Sequence, residues 1–565
     1  MTVSSERVLI IGLDAATLDL IRPWAQAGFL PHMARLLERG THGPLRSVPN
    51  LNSLAAWTTF MTGKNPGRHG VYWFYEHQAG TYDLRFMNGS DIQAPRFWEI
   101  ASDAGRRVGV INVPMTYPAR PLNGVLVAGM DAPDESSPGF TYPADLYEEL
   151  QGVGDYLIDT NILGYARSGR KEQALAVTRW VIDERAKAAE HLMRTRPWDL
   201  FAVIFTALDR IQHGFWADNV HEASLDAPPH QAVSGVVRDF YQHLDRVVGR
   251  LCELAGPETT VIILSDHGMG VNPQSNLYLV PWLESLGLFQ RHDQEDGWMS
   301  AAMDRLLRGA SALADGLLSK RMRRRILRWL PGGRSGLVSR LHKVPCDWSQ
   351  TKVYTDYIQP SLWINLRGRE PEGIVSPGAE YEALRDLLIE QLESCRDSGT
   401  GRPIVRGVYR REEVYTGPYV DRAPDLHIDW NYDLPPVAGY RYQDERSKMV
   451  TVGTPAEVVE RRNVSGDHRP EGTLIMAGPP VRPGHQVTEA ALADVAPTVL
   501  HLLGLPLPAD LDGGVITEAL APEYAKSHPV RHGKSTDASA SPERAFSAEE
   551  AQQVEDRLRG LGYLD

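Results

Sequence analysis

TTVIILSDHGMG, residues 259–270, joins an apolar, β-branched run to an aspartate and a histidine. A strand with one wet face alternates apolar and polar residues, whereas this run does not, so it reads as a strand covered on both faces. Five other stretches share the pattern: RVLIIG (7–12), RRVGVINV (106–113), GVLVAG (124–129), LFAVIFT (200–206) and TLIMAG (473–478). Helical patterns lie between them. One runs from Gln173 to Arg194. Another spans 233–254, with Val236, Val237, Phe240, Tyr241, Leu244, Val248 and Leu251 at helical spacing. Further helices are expected at 379–395 and 487–503. Strands alternating with helices predict an α/β fold: a mostly parallel central sheet with helices on both faces, carrying cap and helical insertions.

The rhythm breaks at 291–345. Met303, Leu306, Leu307, Ala310, Leu313, Leu317 and Leu318 form a helical stripe there, followed by KRMRRRILRW (320–329). This segment is expected to be a helical insert between two parts of a catalytic core, 1–290 and 346–521. Residues 75–105 and 131–170, rich in turns and aromatics, are expected to be caps over the site. Residues 522–546 are polar and read as a linker. Residues 547–565 form a C-terminal tail, in which Ser547 and Glu550 make a capping box for a helix over 548–559.

The chain has 565 residues, of which 42% are hydrophobic, enough for a large core and more than one typical domain length. The net charge of −13 argues against a nucleic-acid polymer as partner. An acidic chain can still take an anionic substrate if metal ions reverse the local field. The three cysteines, Cys252, Cys346 and Cys395, are widely spaced, which suits a reducing compartment. The N-terminal apolar run is short and ends in an aspartate, so it reads as a strand and not as a signal peptide. The expected location is the cytoplasm.

Three of the strands run into aspartates: Asp14, Asp209 in ALDRIQHG and Asp266. In open α/β sheets ligands bind beyond the carboxyl ends of the strands, so the three would converge. His213 lies four residues after Asp209, on the same face if a helical turn follows. His267 adjoins Asp266, and His468 sits in SGDHRPEG just before the last strand. An aspartate at a strand end is by itself usually a helix cap, and a lone histidine is usually a surface or core residue. As a set, three carboxylates and three imidazoles without a thiolate make a metal site that suits zinc or manganese better than calcium or magnesium.

Residues 49–72, PNLNSLAAWTTFMTGKNPGRHGVY, supply a nucleophile. LAAWTTFMT looks helical after Ser53, which places Ser53 where backbone N–H groups and the helix dipole favour an anion. The competing reading makes Ser53 only a cap. Thr58 and Thr59 would lie inside the helix, away from its positive end.

These segments, with DVAPTVLHLLGLPLPADLDG (494–513), resemble the alkaline phosphatase superfamily and within it the type I phosphodiesterase/nucleotide pyrophosphatase branch. SDHGM and TGKNPGRHG (62–70) are the most specific. The resemblance implies an alkaline phosphatase-like fold and a metal-dependent phosphohydrolase. Its expected activity is that of a phosphodiesterase or nucleotide pyrophosphatase on a small phosphorylated substrate, through a phosphoserine intermediate. It implies two divalent metal ions, Zn2+ or alternatively Mn2+. Asp209, His213 and His468 would hold one ion; Asp14, Asp266, His267 and the attacking Ser53 would hold the other. Ser53 stands where the nucleotide pyrophosphatases usually carry threonine, and Ala56 where the branch carries an asparagine that touches the phosphoryl group. The alternatives are a phosphomonoesterase or phosphomutase of the same superfamily and, from another class, a non-catalytic metal-dependent binder of a phosphorylated ligand. SLAAW lacks the CxPxR-like context of a sulfatase.

Lys64 and Arg68, with His69, are candidate substrate contacts whose other reading is a structural turn. Residues 319–330 read either as a solvated basic face or as a peripheral contact with an anionic membrane surface. Asp425 reads as a turn or core residue.

Overall fold

The computed structural model describes residues 7–78, 80–159, 170–217, 229–291, 346–355, 361–443, 449–452, 464–536 and 546–561. Apart from Arg291, the expected insert and all of 319–330 lie outside the described residues.

The central sheet has ten strands. Along the chain they are β1 (Arg7–Leu13), β2 (Thr41–Arg46), β3 (Val108–Val113), β4 (Gly124–Ala128), β5 (Thr141–Tyr142), β6 (Leu200–Phe205), β7 (Thr259–Leu264), β10 (Glu471–Ala477), β11 (His485–Gln486) and β12 (Ala490–Ala491). A separate antiparallel pair, β8 (Gly268–Val271) and β9 (Gly466–Arg469), stands beside it. The order across the sheet is β11-β2-β10-β7-β1-β6-β3-β4-β5, with β12 also on β2. From β7 to β4 every neighbouring pair is parallel. β10 and β5 run antiparallel. Residues of β1, β6 and β7 are buried on both faces, apart from the partly exposed Arg7, as their unbroken apolar runs require.

Helices cover both faces. α1 (Leu18–Gln26), α2 (Pro31–Arg39), α5 (Lys171–Thr195), α6 (Ala207–Phe215) and α7 (Gly235–Ala255) pack with one another. A second group consists of α3 (Ser53–Thr62), α4 (Phe97–Asp103) and α9 (Val495–Leu502). α3 lies directly over β1 because Gly12 has no side chain: a Cβ there would come within 2.7 Å of the Trp57 ring. Trp57 then reaches the strand end and donates Nε1–H to Asp14 Oδ2 at 3.3 Å.

Several expectations need correcting. The helix expected over 487–503 is confined to Val495–Leu502, because Ala490 and Ala491 pair with β2 as part of the sheet edge. Residues 75–105 are not a free cap: Tyr75–His77 and Leu84–Phe86 form a hairpin, and α4 buries Phe97 and Trp98 in the main core. The described part of 131–170 closes the sheet edge through β5 and a helix at Leu146–Gln151. Residues 346–521 are not one continuous piece of the core. Residues 277–289 and 346–452 build a second lobe with its own apolar core, two small antiparallel sheets and α8 (Ala379–Ser394). The hairpin clasps this lobe: Tyr82 stacks on Trp348 with centroids 3.7 Å apart and donates to Asn365 Oδ1 at 2.9 Å. The expected linker contains a helix, Pro522–Ser527, and a bridge from His532 to Leu507. The capping box at Ser547 and Glu550 forms, and α10 (Ala548–Leu561) sinks Val554 and Leu558 into the main core.

β9 approaches α6 so closely that a Cβ on Gly466 would lie 2.3 Å from the Gln212 carbonyl oxygen. Gly466→Ala is therefore expected to force the two apart and cost about 1–3 kcal/mol, read as a lower denaturation midpoint with unchanged slope. An unchanged midpoint would show that the approach is not needed.

Candidate metal centre

Three neighbouring parallel strands, β7, β1 and β6, end together. Asp266 follows β7, Asp14 follows β1, and Asp209 lies in the first turn of α6 after β6. All three carboxylates are fully buried. His213, one turn further along α6, is placed beside Asp209. His468 arrives through the β8–β9 pair, where it faces Met269, two residues after His267. That pairing stacks the His267 and His468 rings with centroids 3.6 Å apart. The residues singled out as ligands therefore meet.

They meet in two groups. In the first, Asp209 Oδ1 lies 3.2 Å from His213 Nε2 and 3.1 Å from His468 Nε2, and the two nitrogens are 3.0 Å apart. In the second, His267 Nε2 lies 3.3 Å from Asp266 Oδ2 and 3.7 Å from Asp14 Oδ1. His267 also falls within reach of Asp209 and His468, so it stands between the groups.

The backbone sets which nitrogen faces inward. His213 Nδ1 bonds the Gly466 carbonyl at 2.9 Å, His468 Nδ1 the Leu51 carbonyl at 2.6 Å, and His267 Nδ1 the Gly268 carbonyl at 3.0 Å. Each Nδ1 thus carries the proton, and each Nε2 offers a lone pair to the cluster.

The donor set fits a cation. Two Nε2 lone pairs aimed at each other across 3.0 Å repel unless something positive lies near both. Asp14 Oδ1 and Asp266 Oδ2 are buried without a hydrogen-bond donor, and buried acceptors are normally satisfied. Burial, and after it the nearby carboxylates, push the Asp14 and Asp266 carboxyls above their usual range. Burial would raise Asp209 too, but His213, His468 and Arg210 outweigh it and hold Asp209 well below. Burial and the neighbouring His468 keep His267 neutral.

Ser53 opens α3 at the edge of this cluster, fully buried, with Oγ 3.2 Å from His267 Nε2. It is not the helix cap. Asn52 caps α3, accepting from Leu54 N at 3.1 Å and Ala55 N at 3.3 Å. Those two N–H groups are therefore engaged by Asn52. Ala56 is buried in the main core, so no polar group comes from that position.

Thr58 and Thr59 turn away. Thr58 bonds the Leu54 carbonyl and Thr59 bonds His69. Lys64 and Arg68 do not point to the cluster either. Lys64 Nζ pairs with Asp510 Oδ2 at 2.5 Å, and Arg68 Nε with Asp512 Oδ1 at 3.1 Å. Those aspartates belong to the closing segment, so both cations tie the loop after α3 to it. His69, pulled down to about 3 by burial and by Lys64, is a neutral core residue. Asp425 is a buried hub of the second lobe, bonded to Ile364 N, Arg369 and Tyr381.

Two features escaped sequence reasoning. One is Arg210, fully buried and bonded to Asp209 Oδ2. The other is a cleft at the seam between the lobes, lined by Asn50, Tyr72 and Trp73 from one side and Ser361, Tyr415 and His427 from the other. It encloses about 320 Å3, counting the part open to solvent. None of its side chains is charged, since burial holds His427 down to about 4. Asn50 lies three residues before Ser53, so their Cα atoms are at most ~11 Å apart.

Similar solved structures include the phosphonoacetate hydrolase from Sinorhizobium meliloti 1021, 14% identical over 88% of this chain and 95% of that one, with a TM-score of 0.49. Human ectonucleotide pyrophosphatase/phosphodiesterase 5 is 12% identical over 91% of this chain and 100% of that one, with a TM-score of 0.46. No curated protein sequence matches the chain. A model of the type I phosphodiesterase/nucleotide pyrophosphatase family matches residues 8–455, which include Asp14, Ser53, Asp209, His213, Asp266 and His267 but stop short of His468. The chain belongs to the type I phosphodiesterase/nucleotide pyrophosphatase family of the alkaline phosphatase superfamily and is a hydrolase of phosphodiester or pyrophosphate bonds.

Proposed function

We propose that this chain hydrolyses a small phosphodiester or pyrophosphate through a phosphoserine on Ser53, with two divalent ions, zinc or alternatively manganese. Asp209, His213 and His468 hold one ion; Asp14, Asp266, His267 and the Ser53 oxygen hold the other. The observation that carries this reading is the placement of Ser53 Oγ 3.2 Å from His267 Nε2, the ring that stands between the two ligand groups. The ions supply positive charge and Lewis acidity to the reacting phosphate and to the serine oxygen.

The chain's residues do the rest. Ser53 Oγ lies 3.2 Å from His267 Nε2, where it would share an ion with that nitrogen. Oγ gives up its proton to solvent and attacks phosphorus, the phosphorus–oxygen bond to the leaving group breaks with the leaving oxygen taking up a proton, and water later cleaves the serine ester, releasing the remaining phosphorylated product and restoring the Ser53 hydroxyl. α3 directs its positive end at the phosphoryl group. Asn52 keeps the first turn of that helix rigid by occupying the Leu54 and Ala55 N–H groups.

A second reading, hydrolysis of a phosphomonoester, draws support from serine, in place of threonine, at position 53. A metal-supplemented comparison of p-nitrophenyl phosphate, bis-p-nitrophenyl phosphate and nucleotide pyrophosphates separates the two. Preference for the diester or the pyrophosphates supports the first reading, and preference for the monoester supports the second.

Three outcomes are expected. Elemental analysis of gently purified protein should give close to two transition-metal ions per chain, and a chelator should abolish activity that zinc or manganese restores. Full activity without metal would sink the metal-dependent reading. Ser53→Ala should lower kcat on the order of 10³-fold or more while leaving fold and metal content largely intact. A near wild-type rate would leave Ser53 without a covalent role. His468→Ala should weaken one ion selectively in calorimetric zinc titration while the Asp14, Asp266 and His267 site stays filled, with turnover collapsing all the same. Two unchanged affinities would remove His468 from the ligand set.

A further inference from the structure

Arg210 immediately follows Asp209 and has no solvent exposure. Its guanidinium donates through Nη1 to Asp209 Oδ2. The other carboxylate oxygen, Oδ1, is the one that faces the His213 and His468 nitrogens, at 3.2 and 3.1 Å. The two oxygens of one carboxylate therefore have different occupations.

Arg210 is itself held from behind. Asp159 Oδ2 lies 3.6 Å from Nη2, and Met130 Sδ lies 3.7 Å from it. Thr206 Oγ1 donates to Asp159 Oδ2 at 3.2 Å. α10 closes this socket, where Arg557 bonds the carbonyls of Met130, Ala132 and Pro133. A guanidinium buried among such partners cannot swing off Oδ2 without leaving charges unpaired, which is costly in a protein interior.

We infer that Arg210 is a positioning residue that confines Asp209 to one-oxygen binding, through Oδ1, of the ion shared with His213 and His468. This rests on the metal-centre reading above. One oxygen and two imidazoles make three protein donors, the number that leaves a fourth position open in catalytic zinc sites. Two oxygens would make four and fill the position a phosphoryl oxygen needs. The guanidinium also offsets the Asp209 charge, so the ion keeps more of its own for the substrate.

The test is a set of zinc-loaded crystal structures of the wild type, Arg210→Met and Arg210→Lys, with inorganic phosphate titrated as a competitive inhibitor of each. In the wild type, Oδ1 alone should lie at bonding distance, about 2.0–2.2 Å. In Arg210→Met both oxygens should bind while zinc stays in place, and phosphate should bind on the order of tenfold or more weakly. Arg210→Lys, which keeps a cation beside Oδ2, should restore one-oxygen binding. Both oxygens on zinc in the wild type, or one-oxygen binding retained in Arg210→Met, overturns the proposal. If Arg210→Met fails to fold, the wild-type and Arg210→Lys structures still decide it: two-oxygen binding in either one overturns it. An Asp209–His213–His468 group without zinc in the loaded wild type overturns the metal-centre reading itself, and this proposal with it.

Discussion

Three fully buried carboxylates, Asp14, Asp209 and Asp266, stand at the ends of adjacent strands, and the interior of a protein tolerates all three ionised only if positive charge comes with them. Much of the architecture serves that constraint. The order β7-β1-β6 sets the aspartates side by side. Trp57, laid over Gly12, bonds one Asp14 oxygen. The Ala15 amide takes one Asp266 oxygen at 3.3 Å. Arg210 takes one Asp209 oxygen. Each carboxylate thus has one oxygen spoken for by the protein, and the others turn toward the imidazoles.

Leu51, in the segment that leads into α3, links the second lobe to this arrangement. Leu51 buries its side chain in the lobe's core, while its carbonyl bonds His468 Nδ1. Leu51 adopts a φ of 44°, a left-handed conformation that a leucine rarely takes. Strain of that kind persists only where surrounding contacts over-determine it. Here the contacts are the lobe on one side and the metal-centre histidine on the other. Ser53 follows two residues later.

Much of the core was legible because its signals are local. An unbroken apolar run followed by aspartate marks β1 and β7 and the acidic groups at their ends, and Asp209 and His213 need only one helical turn to share a face. Ser53 was placed at the start of α3 by the pattern of LAAWTTFMT, although Asn52 proved to be the cap. The second lobe was not legible. Its strands, such as Ser361–Ile364 and Leu426–Trp430, are short and antiparallel and lie among turns, and nothing in their local pattern separates them from the main sheet. Lys64 and Arg68 looked available because Asp510 and Asp512, which neutralise them, are far away in sequence. Arg210 was not singled out. The signal that could have found it is its position: next to a ligand, inside a strand-end turn whose residues from Ala207 to Gln212 are all buried.

The spread of the proposed ligands along the chain gives the centre a history as well as a geometry. A nascent polypeptide emerges from its N-terminus at roughly 5–20 residues per second, so Asp14 precedes His468 by something on the order of a minute. Asp14, Asp266 and His267 are all available once β7 and the start of β8 have been made. The group around Asp209 must wait for β9, which is delivered only after the whole second lobe. The residues of the two groups therefore become available in sequence: one group is complete in the chain long before the other. A polypeptide stalled between the two would carry Ser53 and the Asp14, Asp266 and His267 group, but not His468.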